Sequence, residues 1–313
     1  MVCREPRVVG TAERAQVAVS RRIIVTGANG RLGAALVREW RAAGEDVIGL
    51  GRGELDFGWE HPRLRAALSR HECAVLVNCA AQTNVDRCET EQEEAFRLNT
   101  EAPTVIADWC DDSGVRMIHF STDYVFDGAK SSPYTEGDPA LPISVYGASK
   151  RSGEAGVLTA TSGRALVVRV SWVFGPDRPS FVDQIVQRAM NEVSVAAIAD
   201  KVATPTYTLD AAAMLRPLLF NVTASGLLHL CNGGQCTWQE YGQHALDCAA
   251  ALGIPLKTRT VEPQRMADLK AFVAKRPPFT AMSTSRLEGL TGLRPRGWRE
   301  AVEDYIRKTR SAA

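Results

Sequence analysis

One short segment constrains the fold more than any other part of this chain of 313 residues. The apolar run Ile23–Thr26 leads directly into Gly27-Ala-Asn-Gly30-Arg-Leu-Gly33, after which apolar residues recur at helical spacing. Glycines at such a junction permit a tight turn and let the backbone approach a pyrophosphate at a helix N-terminus. The segment therefore predicts a strand, a dinucleotide-binding loop and a helix, in that order.

Further short apolar runs follow, separated by helical patterns, at residues 47–50, 74–78, 117–121 and 165–170. They are apolar throughout, which is typical of parallel strands covered on both faces. The pattern predicts an α/β protein: a Rossmann-type doubly wound parallel sheet over residues 21–174, then a smaller C-terminal substrate-binding lobe over residues 175–313. Residues 227–231 could return to the sheet. Residues 1–20 are predicted to be a flexible tail.

Composition narrows the class of partner. The chain has 37 basic and 36 acidic residues, so it lacks the one-signed excess expected of a nucleic-acid binder. No apolar run approaches the roughly 18 residues of a membrane span. The eight cysteines form no CxxC pair and the five histidines are dispersed, which predicts reduced thiols in the cytoplasm and no metal site. A small molecule is therefore the expected partner.

The end of the second strand bears on the choice of cofactor. It reads Gly51-Arg52-Gly53-Glu54, at the position where an NAD enzyme offers a carboxylate to the ribose 2′-hydroxyl and an NADP enzyme offers an arginine. Arg52 favours NADPH, and NADH is the alternative if Glu54 binds the ribose instead.

A second motif carries chemistry. In Tyr146-Gly-Ala-Ser-Lys150 the spacing places the phenol and the ammonium on one helix face, where the positive charge favours phenolate formation. Thr122 lies upstream, at the end of the fourth predicted strand. The three side chains predict proton exchange with a substrate carbonyl.

At these residues the chain resembles the dTDP-4-dehydrorhamnose reductase family of extended short-chain dehydrogenase/reductases. The resemblance is carried by Ser121-Thr-Asp-Tyr-Val-Phe-Asp-Gly128 and Val145-Tyr-Gly-Ala-Ser-Lys150, and it covers about residues 21–308. Two segments depart from the family pattern. DQxGxPT reads Asp200-Lys-Val-Ala-Thr-Pro-Thr206, and the segment from Arg276 to Ser283 lacks an asparagine and an aspartate.

The resemblance implies NADPH-dependent reduction of the 4-keto group of a nucleotide-activated deoxysugar, with dTDP-4-dehydro-L-rhamnose as substrate and dTDP-L-rhamnose as product. A homodimer is a further expectation. Two alternatives stay open. One is reduction of another nucleotide-activated deoxysugar at its 4-keto group. The other is a non-catalytic NADP-binding subunit like the regulatory beta subunit of methionine adenosyltransferase.

The resemblance, together with the motifs, assigns roles to particular residues. The catalytic residues are Thr122, Tyr146 and Lys150. The substrate-binding residues are Thr122, Asp123, Tyr124, Trp172 and Arg276, with Arg276 expected to bind the pyrophosphate. The cofactor-binding residues are Gly27, Asn29, Gly30, Arg31, Leu32, Gly33, Arg52, Asp56, Phe57, Ala80, Ala81, Tyr146 and Lys150.

Overall fold

The computed structural model describes residues 21–269 and 271–310, so the tail predicted at residues 1–20 lies outside the described residues. The strands, in chain order, are β1 (Ile23–Thr26), β2 (Val47–Leu50), β3 (Val75–Asn78), β4 (Arg116–Thr122), β5 (Leu166–Val170), β6 (Val173–Phe174), β7 (Val195–Ile198), β8 (Val202–Ala203), β9 (Thr206–Tyr207), β10 (Gly226–His229), β11 (Cys236–Thr237) and β12 (Val261–Gln264). The α-helices are α1 (Arg31–Ala42), α2 (His61–Leu68), α3 (Val85–Thr90), α4 (Gln92–Phe96), α5 (Ala102–Asp112), α6 (Val145–Ala160), α7 (Phe181–Asn191), α8 (Thr208–Leu215), α9 (Trp238–Ala251), α10 (Ser285–Thr291) and α11 (Trp298–Arg310).

Six strands form one parallel sheet in the order β2-β1-β3-β4-β5-β10. In its register Ile23 lies opposite Val47 on one side and Val75 on the other. Because the chain moves outward from β1 in both directions, the carboxyl ends of β1, β3 and β4 meet near a topological switch point, where open α/β sheets bind ligands. The predicted fold class, a doubly wound parallel sheet, is confirmed.

Helices cover both faces of this sheet. Ile23 and Val25 of β1 point into a cluster with Trp40 of α1 and Leu215 of α8. Their neighbour Ile24 points into the opposite cluster, with α5 and α6. Each face buries its own set of alternate residues, which explains why the strands are apolar throughout. Each such side chain contributes roughly 1.5–3 kcal/mol by leaving water.

The C-terminal helices α7, α9 and α11 build a separate apolar cluster around Phe174, Tyr207, Tyr241 and Trp298. The strand β10, however, pairs with β5 in the main sheet. Residues 175–310 therefore contribute both to the sheet and to this second cluster, and the predicted division at residue 174 stays a prediction. Within the described ranges, no helix combines the length and apolarity needed to cross a membrane.

Candidate active site

The loop between β1 and α1 has the close backbone packing that its glycines predict. Gly27 has a φ of +67°, and a Cβ atom there would lie 2.8 Å from the backbone nitrogen of Ala80. A Cβ atom on Gly33 would lie 2.4 Å from the carbonyl oxygen of Gly27. The helix then begins after Gly30 without a side-chain cap, which leaves the N–H groups of its first turn without a side-chain acceptor, as in helix N-termini that bind anions.

Two arginines tie this loop to the segment after β6. The guanidinium of Arg31 donates to the carbonyl oxygens of Val173 (3.2 Å), Arg178 (3.1 Å) and Pro179. In return, Arg178 donates to the carbonyl oxygen of Asn29 at 2.7 Å. Arg31 is predicted to contact the cofactor. In this structure the N–H groups of its guanidinium hold residues 173–179 over the loop.

The side chains just after β2 differ in their exposure and in whether they already accept a hydrogen bond from the backbone. Arg52 is exposed, whereas the Glu54 carboxylate accepts the backbone N–H of Gly51 at 2.9 Å. The Asp56 carboxylate caps the backbone two residues later, and Phe57 is buried in the core. An arginine projecting into solvent suits a phosphate, while the carboxylate of Glu54 is already engaged. This difference favours the Arg52 alternative.

The three predicted catalytic side chains, Thr122, Tyr146 and Lys150, lie together at the carboxyl end of β4. Ser144 caps α6 by accepting the N–H of Gly147, which starts the helix one residue before Tyr146. Tyr146 and Lys150 then lie one turn apart, and both line the same cavity as Thr122, close enough for Thr122 to act on the pKa of Tyr146. Both Tyr146 and Thr122 are buried. The predicted catalytic residues are thus brought together.

The pKa values of Tyr146 and Lys150 differ from the expectation that the charge of the lysine lowers the pKa of the tyrosine. Burial raises the pKa of Tyr146 above its usual range, and the effect of Thr122 only partly opposes this rise. The Lys150 ammonium donates to the carbonyl oxygen of Phe120 at 2.7 Å, and burial lowers the pKa of Lys150 to about 8. The predicted lowering of the Tyr146 pKa is therefore wrong for this state, because the effect of burial outweighs that of Thr122, and the charge of Asp123 raises the pKa further.

Asp123 is fully enclosed beside the reactive group. Its carboxylate accepts hydroxyl groups from Thr122 (3.1 Å), Ser171 (2.8 Å) and Thr280 (2.5 Å). Lys201, also buried, lies close enough for its charge to lower the pKa of Asp123, although burial raises that pKa overall. With its oxygens engaged in this way, Asp123 fixes the orientation of Thr122, and direct contact with substrate stays a prediction.

Two aromatic side chains border the site. The Tyr124 ring meets the Tyr146 ring edge-on at 5.6 Å. Trp172 has a φ of +39°, a left-handed conformation that is costly for a bulky residue and is found mostly at functional sites. Its ring lies 5.6 Å from Trp238 and 5.9 Å from Tyr241. The tryptophan is thus held at the junction of the sheet and the C-terminal helices.

A cavity of about 520 Å³ joins these features. Its lining includes the predicted residues Gly30, Arg31, Leu32, Gly33, Ala81, Thr122, Asp123, Tyr124, Tyr146, Lys150 and Trp172. The remaining predicted residues, Gly27, Asn29, Arg52, Asp56, Phe57, Ala80 and Arg276, are not part of that lining. The glycine loop and the reactive group therefore face one space. In the described part of the chain, no cluster of His, Cys, Asp and Glu side chains could hold a metal ion.

Arg276 is placed differently from the expectation. Its guanidinium forms a two-point ion pair with Asp86 and also donates to the carbonyl oxygen of Ala274. It lies 3.5 Å from the centre of the Phe272 ring. A pyrophosphate contact by Arg276 stays a prediction, and it would require part of this pair to open.

Comparison with known proteins is consistent with this geometry. The profile of the family described as RmlD substrate binding domain matches residues 21–311. The chain belongs to this family.

Three curated relatives match along nearly their whole length. The spore coat polysaccharide biosynthesis protein SpsK of Bacillus subtilis is 32% identical over 93% of this chain and 99% of its own. A probable dTDP-4,6-dihydroxy-2-methyloxan-3-one 4-ketoreductase of Streptomyces antibioticus is 37% identical, covering 90% of this chain and 94% of its own. A dTDP-4-dehydrorhamnose reductase of Streptomyces griseus is 35% identical, covering 90% and 92%.

A solved RmlD-type structure supports the cofactor prediction. The dTDP-4-dehydrorhamnose reductase of Bacillus anthracis, crystallised with NADP, has a TM-score of 0.85 at 28% identity and covers 93% of this chain and 99% of its own. The predicted family and the enzyme class, an NAD(P)H-dependent oxidoreductase resembling these reductases, are confirmed. The reading as a non-catalytic subunit is therefore not retained.

Sequence reasoning gave no role to two residues of this RmlD-type site. His119 is fully buried, and its Nε2 lies 3.4 Å from Nζ of Lys150. Lys201, which replaces the glutamine of the family's DQxGxPT segment, donates to the carbonyl oxygen of Pro277 at 2.6 Å and lies 4.9 Å from the Tyr124 ring. The replaced glutamine was a visible signal, whereas a histidine inside an apolar strand gave no reason to expect a role.

Proposed function

We propose that this protein uses NADPH to reduce the 4-keto group of a nucleotide-activated deoxysugar, and that the sugar nucleotide is dTDP-4-dehydro-L-rhamnose. One observation carries the proposal: Thr122, Tyr146 and Lys150 line the same cavity as the glycine loop at the N-terminus of α1. A proton donor and a pyrophosphate-binding loop in one space are what reduction of a carbonyl by a dinucleotide requires.

Within this proposal the bound nicotinamide cofactor supplies the hydride that reaches the carbonyl carbon. The protein's own groups manage the proton and the geometry. Tyr146 donates its phenolic proton to the carbonyl oxygen. Thr122, whose hydroxyl donates to Asp123 in this state, turns its proton to that carbonyl oxygen when substrate is bound. Lys150 carries the positive charge that stabilises the phenolate left behind. Burial of all three side chains keeps water from competing for these contacts.

The NADPH preference is assigned to Arg52. It is exposed at the end of β2, where a guanidinium can pair with a 2′-phosphate. The Glu54 carboxylate is engaged with the backbone of Gly51, which leaves it less able to select the 2′-hydroxyl of NADH. The backbone of the glycine loop would hold the pyrophosphate.

The identity of the sugar is supported by the reductase of Streptomyces griseus, whose name gives dTDP-4-dehydrorhamnose as the substrate. A second candidate is a different dTDP-linked 4-keto sugar, since the relative from Streptomyces antibioticus is named for one at 37% identity. Lys201 in place of the family glutamine, packed against Tyr124, is a specific reason to test it.

The deciding experiment is oxidation of NADPH by the purified protein on dTDP-4-dehydro-L-rhamnose made in situ, followed by NMR of the sugar product. We expect dTDP-L-rhamnose, formed in equal amount to the NADPH consumed. A parallel assay with dTDP-4,6-dihydroxy-2-methyloxan-3-one, the sugar nucleotide for which the Streptomyces antibioticus relative is named, tests the second candidate. Turnover with the second substrate and none with the first would overturn the sugar assignment, and turnover with neither would overturn the activity.

Two further parts of the proposal concern the protein in the cell. We expect it to act in the cytoplasm, and we expect it to be a homodimer. Light scattering of the purified protein gives the mass of the assembly directly. A monomer at micromolar concentration would contradict the dimer without affecting the proposed activity.

A further inference from the structure

A row of buried polar side chains, each within hydrogen-bonding distance of the next, runs from β1 to Lys150 behind the reactive centre. The hydroxyl of Thr26 donates to Oδ1 of Asn78 at 2.7 Å, and the backbone N–H of Ala80 donates to the same oxygen at 3.0 Å. Nδ2 of Asn78 lies 2.9 Å from Nδ1 of His119, and Nε2 of His119 lies 3.4 Å from Nζ of Lys150. Asn78 and His119 are completely buried.

The hydrogen-bond geometry determines where the protons of these buried polar groups lie. A backbone N–H can only donate, so the atom of Asn78 that faces Ala80 must be its oxygen, and the opposite atom must be its NH₂ group. That NH₂ group points at Nδ1 of His119, which must therefore present its lone pair. A ring that presents a lone pair at Nδ1 carries one proton and is neutral, and burial, which lowers the pKa of His119 well below its ordinary value, favours the same state. Its single proton is consequently on Nε2.

The Nε2 proton has a consequence for the lysine. An ammonium group has three donors and no acceptor, so an ammonium on Lys150 would place two donors opposite each other across the 3.4 Å contact with His119. An uncharged amine, by contrast, can accept the Nε2 proton in a hydrogen bond. The other contact of Nζ, with the carbonyl oxygen of Phe120, suits either form. The contact with His119 is therefore the one that distinguishes them.

We propose that His119, locked in its Nε2–H form by Asn78, is a positioning residue that disfavours the ammonium form of Lys150. The proposal rests on the proposed function, in which Lys150 serves the proton donor Tyr146. Below a pH of about 8, the pKa of Lys150 in this state, the lysine still carries the charge that the proposed function requires, so His119 of β4 limits the ammonium form without abolishing it.

Other groups also face Lys150 and set the balance. Glu154 of the same helix favours the charged form, but both of its oxygens are paired with Arg169 of β5, at 2.8 and 2.6 Å. The thiol of Cys79, after β3, also contributes in the same direction as Glu154. Burial has the largest effect and opposes both. His119 acts in the same direction as burial.

The first test is ¹⁵N NMR of the imidazole rings in the full chain without added cofactor. We expect His119, assigned by its loss in His119→Gln, to be the neutral Nε2–H tautomer throughout about pH 6 to 9. A proton on Nδ1, or a positively charged ring, would overturn the proposal. This readout needs no turnover, so a failed proposed function and a failed proposal give different results.

The second test uses Asn78→Asp to reverse the donor and acceptor roles of the buried polar groups. A carboxylate can only accept, so it should move the His119 proton to Nδ1 and turn a lone pair toward Lys150. We expect the ¹⁵N spectrum of Asn78→Asp to show the His119 proton on Nδ1. The titration of Lys150, followed by its ¹³Cε shift, should move up by about one pH unit more in Asn78→Asp than in Asn78→Asp/His119→Gln, where the new carboxylate acts without the imidazole, and the basic limb of the kcat/KM profile should move with it. His229, equally buried but on β10, supplies the control His229→Gln, which should leave both unchanged. An unshifted Lys150 titration in folded Asn78→Asp would overturn the proposal.

Discussion

Arg276 and Asp86 form a two-point ion pair between the segment before α10 and the start of α3, with N–O distances of 3.0 and 2.7 Å. The Arg276 side chain is only 8% exposed. The backbone N–H groups of Val273 and Ala274 bind the same carboxylate. Together these contacts hold the pKa of Asp86 down at about 2. The pair therefore fastens residues 273–276 beside the cavity, next to Val85 in its lining.

From this pair we expect Arg276→Ala to raise the KM for the sugar nucleotide at least about tenfold while the KM for NADPH stays intact. Asp86→Asn should raise the sugar-nucleotide KM by a similar factor, because it leaves the segment equally loose. The control is Arg87→Ala, which removes an exposed arginine of the same helix. If Asp86→Asn left the KM unchanged and Arg276→Ala raised it, the arginine would act directly on the pyrophosphate.

Tyr146→Phe should lower kcat by about 10²- to 10⁴-fold, because it removes the proton donor. NADPH affinity, measured by fluorescence titration, should be nearly unchanged, since phenylalanine keeps the ring of Tyr146 and the other residues assigned to the cofactor are intact. Tyr207→Phe is the matched control: Tyr207 is fully buried, and its hydroxyl has no hydrogen-bond partner among the described residues. A Tyr146→Phe enzyme that kept more than half of kcat would refute the assignment.

Arg52→Ala should abolish the preference for NADPH over NADH, because the exposed guanidinium at the end of β2 is the group assigned to the 2′-phosphate. We expect the ratio of the two cofactor KM values to change by about tenfold or more. Arg70→Ala, at an exposed arginine just after α2, should not change this ratio. An unchanged ratio in Arg52→Ala would transfer the role to Arg178, which lines the cavity.

The left-handed backbone of Trp172 makes a prediction about stability. Trp172→Ala and Trp172→Gly remove the same ring, but only glycine adopts a φ of +39° without steric cost. The glycine variant should therefore be more stable than the alanine variant, by about 1 kcal/mol in denaturant unfolding. The order should reverse at Trp238, the first residue of helix α9. The same order at both positions would argue against strain at Trp172.

Burial of the Lys150 ammonium predicts that a variant without this charge is more stable but inactive. Its pKa falls from 10.5 to about 8 on folding, so at pH below 8 the folded protein carries a buried ammonium that the unfolded chain holds in water. Lys150→Met should remove this cost, which is up to about 3 kcal/mol. The gain should be full below pH 8 and should shrink as the pH rises towards 10.5, while turnover is lost. A gain that did not change with pH would contradict the shifted lysine.

Much of the fold was predictable because it depends on local spacing. Apolar runs without alternation indicate strands covered on both faces, and the structure places Ile23 and Ile24 in opposite clusters. The glycine motif predicted a turn at Gly27, where the φ is +67°. The spacing of Tyr146 and Lys150 placed both on one face of α6. Each of these inferences concerns residues a few positions apart.

The sequence by itself determined the strand and helix pattern, the glycine loop and the spacing of the reactive pair, because backbone geometry over a few residues sets them. Only the tertiary structure decided which partner each charged side chain meets. Arg31 binds a carbonyl 147 positions away, Asp123 a hydroxyl 157 away and Arg276 a carboxylate 190 away. Burial, which raises the pKa of Tyr146 and lowers that of Lys150, likewise exists only once distant elements have packed around them.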